Sequence, residues 1–364
     1  MLPGHGLGSY AYKERKGDFY MINIGVLGCG KIAQVRHIPE YAANADCKLI
    51  GFYNPTKSRA LEMAEKYGGT AYDSAEELLA NPEIDAVSVC AANYAHAELA
   101  IAALKAGKHV LCEKPMATTP EDCEAMLRAE KESGKRLLIG QNQRFALAHQ
   151  KAKELIDSGF IGRVVTFRTA FGHGGPETWS IKPGKDTWFF DKQRAAMGAM
   201  ADLGVHKTDA IRYMLGQDVA KVTAKLATLD KCGTDGELIG VDDNAVCIYE
   251  MTGGAIGTMT ASWTYYGAED NSTVFYGTKG IMRIYDDPEH SIVCIMADGS
   301  KEVFDVDAIQ TNDNQTSSGV IDEFISSISE DRPSLLDADK VIGSMKAVFA
   351  AIESNKTGKP VEVK

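Results

Sequence analysis

Residues 22–33 read Ile22-Asn23-Ile24-Gly25-Val26-Leu27-Gly28-Cys29-Gly30-Lys31-Ile32-Ala33. The first six residues are mostly apolar and β-branched, which predicts a buried strand. In the Gly28-x-Gly30-x-x-Ala33 pattern, Gly28 permits a tight turn, Gly30 lets the backbone approach a pyrophosphate, and Ala33 lets a helix pack closely on the sheet. The N–H groups at the start of that helix can bind phosphates. The stretch therefore predicts a dinucleotide site formed by Gly28, Cys29, Gly30, Lys31 and Ile32.

Four more apolar runs follow at intervals that leave room for helices between them. The strand-like runs are 48–53, 86–90, 109–112 and 136–140, and the predicted helices are 32–43, 58–67, 75–79, 96–106 and 120–133. Two helices carry clear start signals, since Thr119 precedes Pro120 and Ser74 stands three residues before Glu77. This alternation predicts a parallel, doubly wound sheet over residues 21–142, a Rossmann domain of the α/β class.

The pattern changes after Phe145. A predicted helix at 147–158 precedes a β-branched run at 163–171, a loop rich in Gly and Pro at 172–184, and a predicted helix at 194–215. Strand-like runs then follow one another at 221–229, 244–251, 255–266, 272–276, 281–285 and 291–296, before an amphipathic helix at 337–354. Successive strands joined by turns such as Thr252-Gly253-Gly254 predict an open, largely antiparallel sheet. We therefore expect an N-terminal extension (1–20), the Rossmann domain (21–142) and a C-terminal α/β domain (143–364).

Composition narrows the class of protein. The 364 residues carry a formal net charge of -11, which argues against nucleic acid or an anionic membrane as the main partner. No run approaches the roughly 20 apolar residues that span a bilayer, and the first twenty residues lack the apolar core of a secretory signal. The eight cysteines include no Cys-x-x-Cys pair and no ligand-like spacing with histidine. We expect a cytoplasmic protein with no metal site.

The choice of dinucleotide is left open by position 54. Asn54 stands at the end of the second strand. A carboxylate at this position would accept hydrogen bonds from the ribose and repel a 2′-phosphate. The amide oxygen of Asn54 can still accept from the ribose, but it brings no repelling charge. Lys57, Ser58 and Arg59 follow and could reach a 2′-phosphate, although the first turn of a solvated helix is the simpler explanation of Lys57 and Arg59. The cofactor is therefore predicted as NAD or NADP.

Three further segments, taken together with the glycine turn, resemble the glucose-fructose oxidoreductase / inositol dehydrogenase (Gfo/Idh/MocA) family. They are Asn93-Tyr94-Ala95-His96, Glu113-Lys114-Pro115 and Gly198-Ala199-Met200-Ala201-Asp202-Leu203-Gly204-Val205-His206-Lys207-Thr208-Asp209. Their order and spacing match across about residues 21–216. Two departures are Ala92, where the family usually has Pro, and Ala199, where Gly is common. The resemblance implies that Asn93, His96, Glu113 and Lys114 contact the cofactor, and that the open sheet is covered by another subunit in a homodimer or homotetramer.

The resemblance also implies a catalytic set of Lys114, Asp202 and His206. Lys114 ends a strand at the sheet edge where ligands bind, and a Lys–Pro bond can adopt the cis form. Its ammonium could hold a substrate hydroxyl and stabilise developing oxygen charge. Asp202 and His206 stand four residues apart on a predicted helix, so the carboxylate could hold the imidazole as a general base, with Asp209 nearby one turn later.

Further candidates for substrate contact lie at the domain junction and in the Gly/Pro loop. Asn142 and Arg144 follow the last strand of the first domain and could line the cleft or form a hinge. In the loop, His173 is a predicted substrate contact. Glu177, Trp179 and Trp188 are weaker candidates, because packing is the commoner explanation of aromatic side chains in such a loop. The sequence shows no partner for three other histidines, which we interpret as structural: His37, His109 and His149.

The residues and the resemblance together predict an NAD(P)-dependent oxidoreductase. Hydride would pass between the nicotinamide and a secondary alcohol of a sugar, polyol or sugar derivative. Two alternatives remain: an enzyme of the same fold that uses bound NAD for non-redox glycoside cleavage, and a cofactor-sensing regulator that has lost the chemistry.

Overall fold

The computed structural model describes residues 21–307 and 317–364, and the predicted extension 1–20 lies outside them. The first sheet is made of β1 (Ile22–Leu27), β2 (Cys47–Tyr53), β3 (Thr70–Ala71), β4 (Ala86–Val89), β5 (His109–Cys112) and β6 (Leu137–Ile139). All the pairings are parallel, in the order β3-β2-β1-β4-β5-β6. This is the strand order of a dinucleotide-binding sheet, and its ligand crevice lies at the carboxyl ends of β1 and β4, where the strand order reverses. The predicted parallel sheet is confirmed, with β3 as one strand that the sequence reading missed.

Helices cover both faces of this sheet. They are α1 (Ile38–Ala43), α2 (Lys57–Tyr67), α3 (Ala75–Ala80), α4 (His96–Lys105) and α5 (Pro120–Ser133). The predicted caps are present, since the side chains of Ser74 and Thr119 accept hydrogen bonds from the backbone N–H groups of Glu77 and Asp122. The predicted helix at 32–43 differs in detail: Ala33–His37 form a π-helical turn that runs into α1.

The second sheet has nine strands within the described residues. They are β7 (Val164–Gly172), β8 (Val219–Ala227), β9 (Asn244–Met251), β10 (Ile256–Ser262), β11 (Thr273–Gly277), β12 (Gly280–Ile284), β13 (Ile292–Met296), β14 (Lys301–Phe304) and β15 (Val361–Glu362). Their order is β14-β13-β12-β11-β7-β10-β9-β8-β15, and only β7 and β10 pair in parallel. The largely antiparallel sheet is therefore confirmed, while the short edge strands β14 and β15 were not predicted.

The helices of the second half are α6 (Leu147–Asp157), α7 (Lys192–Ala195), α8 (Val205–Leu215), α9 (Val320–Ser329) and α10 (Ala338–Thr357). The prediction of one helix at 194–215 is wrong, because α7 ends at Ala195 and a new helix begins near Ala199 with a π-helical turn, Met200–Gly204. Short 3-10 turns lie at Asn93–Ala95, Asn142–Phe145, Pro176–Thr178 and Trp188–Phe190. The break before Ala199 gives the segment that carries Asp202 and His206 its own N-terminus.

One face of the second sheet carries helices and the other is open. Along β9, buried and exposed residues alternate, so that Cys247 and Tyr249 are fully buried whereas Val246 and Ile248 are 52% and 47% exposed. Ile256, on the neighbouring strand, is 50% exposed. Branched aliphatic side chains on an uncovered sheet are typical of a protein interface.

The chain returns to the first sheet near its end. Helix α9 packs against α1, and Ile321 and Phe324 are buried in the same core as the residues of β1. Leu336 accepts a hydrogen bond from the backbone N–H of Ile139 and continues the edge of β6 through a bridge between Leu138 and Asp337. The first sheet is thus completed by residues that follow β14 of the second sheet in sequence.

Candidate functional site

The glycine turn lies directly after β1. Gly28 has a φ of 101°, and a Cβ added there would lie 2.7 Å from the backbone atoms of Cys90 and Ala91. A Cβ added to Gly30 would meet nothing closer than the carbonyl oxygen of Cys90, at 3.9 Å. The fold therefore requires glycine at position 28, whereas the space at Gly30 is not needed by the protein itself. That open space beside a helix N-terminus fits the approach of a pyrophosphate.

This contrast predicts different defects for two alanine variants. Gly30→Ala is expected to weaken NADH binding roughly tenfold or more, about 1.4 kcal/mol, because the new methyl group occupies ligand space. The melting temperature should stay close to that of the wild type. Gly28→Ala, the matched variant, should lower the melting temperature because its Cβ clashes with backbone and its φ is strained. Fluorescence titration with NADH and thermal unfolding measure the two effects. A large loss of stability in Gly30→Ala would contradict this prediction.

Asn54 braces the turn. Its Oδ1 accepts a hydrogen bond from the backbone N–H of Cys29 at 3.0 Å, and its Nδ2 donates to the carbonyl oxygen of Thr56 at 3.0 Å. The side chain is buried, so the expectation that its amide oxygen is free for a ribose hydroxyl does not fit this arrangement. Lys57 is also engaged locally, with Asp73 and the carbonyl oxygen of Ala71. Arg59 lies near the turn: burial raises the pKa of Cys29 to about 12, and the charge of Arg59 acts in the opposite direction.

A cleft of about 450 Å³ opens beyond the carboxyl ends of the first sheet and reaches the second sheet. Many of the residues singled out in the sequence line it together: Ile32, Asn93, His96, Glu113, Lys114, Asn142, His173, Trp179, Trp188, Asp202 and His206. The sequence reading did not select Arg36, Phe171, Phe189, Glu269 and Asn271, which also line it. An apolar cleft with a few convergent polar groups is the usual form of a small-molecule site.

Lys114 and Asp202 form the charged centre of the cleft. The Nζ of Lys114 lies 2.8 Å from Oδ1 of Asp202 and donates a second hydrogen bond to the backbone oxygen of Asp202 at 3.0 Å. The other carboxylate oxygen accepts from Nε1 of Trp263 at 3.1 Å. Burial opposes ionisation of Asp202, but the charge and hydrogen bond of Lys114 prevail and lower its pKa. The peptide bond between Lys114 and Pro115 is cis.

His206 lies in the same cleft but is not held by Asp202. Both carboxylate oxygens of Asp202 are taken by Lys114 and Trp263, and among the described residues Nδ1 of His206 has no hydrogen-bond partner. The predicted Asp202–His206 hydrogen bond is therefore wrong, because an ammonium that arrives from β5 binds a carboxylate more strongly than a neutral imidazole does. Burial and then the charge of Lys114 hold the pKa of His206 well below its usual range. The imidazole is thus a neutral acceptor at pH 7.

Glu113 fixes the backbone from which Lys114 extends. Its Oε1 lies 2.8 Å from Nε2 of His37, and its Oε2 accepts from the backbone N–H of Lys114 at 3.1 Å. Burial opposes ionisation, but the hydrogen bond and charge of His37, with smaller contributions from Arg36 and Lys114, lower the pKa of Glu113 to about 2. His96 supports the next residue, because its two ring nitrogens contact the carbonyl oxygens of Pro115 and Ala91.

The structure does not place Arg144 in the cleft, so the predicted substrate contact is not supported. Its guanidinium donates to both carboxylate oxygens of Asp209 at 2.7 Å, and to the carbonyl oxygen of Leu335 at 2.6 Å. Asp209 in turn accepts a hydrogen bond from the hydroxyl of Ser344. Its contacts are therefore with Arg144 and Ser344, and not with the Lys114–Asp202 pair. The buried Arg144–Asp209 pair ties α8 to the turn at Asn142–Phe145 and to the segment before α10, and the hinge alternative stays a prediction. Asn142, by contrast, lines the cleft.

The loop after β7 forms an aromatic wall of the cleft. Trp188 stacks on Phe189 with ring centroids 3.9 Å apart, and Trp179 lies 5.8 Å from Phe189. His173 accepts a hydrogen bond from the backbone N–H of Gly175 through Nδ1. Glu177 does not line the cleft and instead forms an ion pair with Lys231.

His149 was interpreted as structural, and the structure shows that it also lines the cleft. It is 1% exposed, and its Nδ1 donates to the carbonyl oxygen of Gln143 at 2.9 Å. Burial, together with the charge of Lys207, lowers its pKa to about 3. Burial and nearby lysine and arginine charges likewise lower the pKa of His109 to about 4.

These buried histidines predict acid sensitivity. A histidine whose folded pKa is depressed takes up a proton only on unfolding, so stability falls as the pH drops below the unfolded value near 6.5. At pH 5, the depressed pKa of His149 alone should lower the free energy of unfolding by about 2 kcal/mol. Thermal unfolding from pH 8 to pH 5 should show this loss, and His149→Asn should flatten the slope between pH 6.5 and 5. An unchanged slope in this variant would show that His149 is not a source of the effect.

In residues 21–307 and 317–364, no helix is long and apolar enough to cross a membrane. The same residues contain no group of three or more His, Cys, Asp or Glu side chains arranged to hold a metal ion.

Comparisons with known proteins agree with this geometry. A family model described as an oxidoreductase family with an NAD-binding Rossmann fold (Gfo/Idh/MocA) matches residues 22–141, and the model of the corresponding C-terminal domain matches residues 149–283. The chain is 29% identical to D-glucoside 3-dehydrogenase of Escherichia coli K12, over 94% of this chain and 97% of that protein. It is 31% identical to myo-inositol 2-dehydrogenase of Thermotoga maritima, over 76% of this chain and 78% of that protein.

Solved structures share the architecture. Aldose-aldose oxidoreductase from Caulobacter crescentus, in complex with glycerol, superposes with a TM-score of 0.80 at 26% identity, over 94% of this chain and 99% of that chain. Levoglucosan dehydrogenase in complex with NADH and levoglucosan superposes with a TM-score of 0.83 at 24% identity, over 94% and 99% of the two chains. The second likeness concerns the fold alone.

Proposed function

The chain belongs to the Gfo/Idh/MocA family of NAD-dependent oxidoreductases, and from this premise we propose how its cleft acts on a sugar or polyol. It is a dehydrogenase that transfers hydride between a nicotinamide cofactor and a secondary alcohol. The observation that carries the proposal is the Lys114–Asp202 ion pair in a cleft shared with His206 and walled by aromatic side chains. Relatives that act on a glucoside, an inositol and levoglucosan support a polyhydroxylated substrate for this chain.

Lys114 binds the reacting oxygen in the proposed mechanism. Its ammonium is held by Asp202 and aims into the cleft, where it stabilises the charge that develops on oxygen as the alcohol is oxidised. His206 is neutral, so it can accept the hydroxyl proton as a general base. A nicotinamide cofactor bound in this cleft would supply the acceptor for the hydride in oxidation and its donor in reduction. The residues proposed to hold the cofactor are Gly28, Cys29, Gly30, Lys31, Ile32, Asn54, Arg59, Asn93, His96, Glu113 and Lys114, with Asn54 acting through the turn.

The aromatic wall selects the substrate class in this proposal. Trp179, Trp188 and Phe189 offer flat apolar faces, which suit the C–H faces of a sugar ring. Asn142 and His173, on other parts of the cleft, offer polar atoms to its hydroxyl groups. A sugar, polyol or sugar derivative presents both kinds of surface.

The direct test is a screen of sugars, glycosides and polyols with NAD and with NADP, followed by absorbance of the reduced nicotinamide. We expect net reduction of added cofactor with at least one of them. Product release from a glycoside without net reduction would favour the glycoside-cleaving alternative. Cofactor binding without any turnover would favour the regulator. Both alternatives are disfavoured by the dehydrogenase names of the relatives.

Four further features belong to the proposal. The division into residues 21–142 and 143–364 stays a prediction. The open face of the second sheet, with Val246, Ile248 and Ile256 exposed, would be covered by another copy in a homodimer or homotetramer. Light scattering of Ile248→Lys would show dissociation if this face is the interface, with Leu61→Lys on the first domain as the control. A cytoplasmic location, and a main partner other than nucleic acid or membrane, remain expectations.

A further inference from the structure

Asp242, just before β9, caps the segment that carries the proposed catalytic residues. Its Oδ1 accepts from the backbone N–H of Gly198 at 2.9 Å, and its Oδ2 accepts from that of Met200 at 2.8 Å. Its backbone oxygen accepts from the N–H of Ala199 at 2.7 Å. The helix that begins here has no side-chain cap of its own. One residue, 42 positions away from Met200 in sequence, therefore binds three consecutive N–H groups at the helix start.

The approach is too close for any other residue type at position 198. A Cβ added to Gly198 would lie 1.8 Å from the carbonyl oxygen of Asp242. Asp202 lies about one helical turn after Gly198, and its backbone N–H donates to the carbonyl oxygen of Gly198 at 3.0 Å. Asp242 thus fixes Asp202 through two hydrogen bonds, one from Gly198 to Asp242 and one from Asp202 to Gly198. Because Asp202 holds the ammonium of Lys114, the position of Lys114 depends on them as well.

The next residue, Asp243, holds a different segment. It is fully buried, and its carboxylate accepts from the backbone N–H groups of Leu229, Asp230 and Lys231, each at 2.8 Å. This arrangement fixes the backbone of Lys231. A buried carboxylate with so many N–H donors stabilises one local conformation of the chain.

Lys231 then extends to the loop after β7. Its Nζ donates to the carbonyl oxygen of Gly174 at 2.7 Å and forms an ion pair with Glu177. Lys231 is 4% exposed, so both contacts are shielded from water. The loop passes close by because residue 175 is glycine, with a φ of 101° and no space for a Cβ beside the side chains of Glu177 and Lys231. His173 and Trp179, which line the cleft, flank these contacts.

We infer that the adjacent residues Asp242 and Asp243 position two walls of the substrate cleft. Asp242 fixes the position of the helical segment that carries Asp202 and His206. Asp243 acts through Lys231 and fixes the position of the loop that carries His173 and Trp179. Asp242, Asp243 and Lys231 are positioning residues, since none of them is among the residues that line the cleft. The kinetic part of this inference rests on the proposed function.

The two walls should give separate kinetic signatures. Asp242→Asn keeps one acceptor oxygen of two, so the catalytic segment shifts and kcat should fall roughly tenfold or more, with KM within about threefold. Lys231→Met removes the clamp on the substrate loop, so KM should rise roughly tenfold with kcat within about threefold. Lys231→Arg, which can still donate to Gly174 and Glu177, should recover most of the lost affinity. Asp243 is left unchanged, because three buried backbone N–H groups donate to its carboxylate and an amide there would destabilise the fold.

The experiment pairs kinetics with hydrogen exchange on the full-length protein. The control is Asp298→Asn, since Asp298 also accepts hydrogen bonds from Ser300 but lies in a hairpin outside the residues that line the cleft. Faster amide exchange is expected at residues 198–202 in Asp242→Asn, and at residues 173–179 in Lys231→Met. NADH affinity should match the wild type in all variants.

Three results would overturn the inference: exchange in these segments no faster than in Asp298→Asn, equal effects of both substitutions on kcat and KM, or no recovery in Lys231→Arg. If the wild type oxidises none of the sugars tested, the proposed function fails, and the exchange measurements still decide whether these residues position the two walls.

Discussion

Lys114→Met is expected to reduce kcat roughly 10²- to 10³-fold, because the substitution removes the cation that stabilises developing negative charge on the substrate oxygen. The ammonium lies 2.8 Å from Asp202, so its removal also leaves a buried carboxylate with Trp263 as its remaining described donor. The effect should appear in kcat/KM as well, since the interaction strengthens in the transition state. Steady-state kinetics with the best substrate of the screen measure both constants.

Controls separate chemistry from folding in this variant. Lys153→Met is the matched control, because Lys153 also pairs with an aspartate, Asp157, but on the surface of α6. NADH titration and the melting temperature should show that the Lys114→Met protein is folded and binds cofactor. A Lys114→Met protein that keeps more than about a third of wild-type kcat would contradict the proposed role, since loss of a charge-stabilising donor costs far more.

His206→Asn is expected to reduce kcat/KM roughly 10²- to 10⁴-fold by removing the general base. In the wild type, burial and the charge of Lys114 keep the pKa of His206 well below its usual range, so the imidazole stays neutral as the pH falls through 6.5. The acid side of the pH profile of kcat/KM should therefore lie below pH 6.5. Measurements of kcat/KM from pH 9 to pH 5 test the position of this limb.

The pH dependence of the residual activity in two variants tests whether His206 is the group that accepts the proton. Lys114→Met should move the acid limb to higher pH, because the charge that depresses the pKa of His206 is gone. His206→Asn should lack the limb. An acid limb at the wild-type position in His206→Asn would show that another group accepts the proton. Protein stability must be followed over the same range, since the buried His149 predicts acid-induced unfolding.

The parts of the site that follow from local sequence could be predicted. The glycine turn, the caps at Ser74 and Thr119, and the position of Lys114 at the end of β5 depend on residues within one strand–turn–helix unit. Parallel strand order then brings the carboxyl ends of β1, β4 and β5 to one edge. Of the residues selected there, Ile32, Asn93, His96, Glu113 and Lys114 line the cleft, whereas Gly28, Cys29, Gly30 and Lys31 are not among its lining residues.

The pairing of charged side chains could not be predicted, because it depends on segments that meet only in the folded chain. Asp202 and His206 have the spacing of a helical pair, but Lys114, 88 residues from Asp202, takes the carboxylate. Arg144 follows a strand at the ligand edge, yet Asp209 draws its guanidinium into the interior. Single-sequence periodicity carries no information on which distant charge arrives at a site.

The late return of the chain to the first sheet has a consequence for how the protein is made. Ser318, Ile321 and Phe324 complete the layer around α1, where the carboxylate of Glu40 accepts two hydrogen bonds from Ser318. A ribosome will have synthesised strands β7 to β14 of the second sheet before these residues emerge. The first sheet must therefore wait, with part of its apolar surface uncovered, until these strands and α9 have been synthesised. A fragment that stops at residue 142 is expected to aggregate rather than to fold as an independent unit.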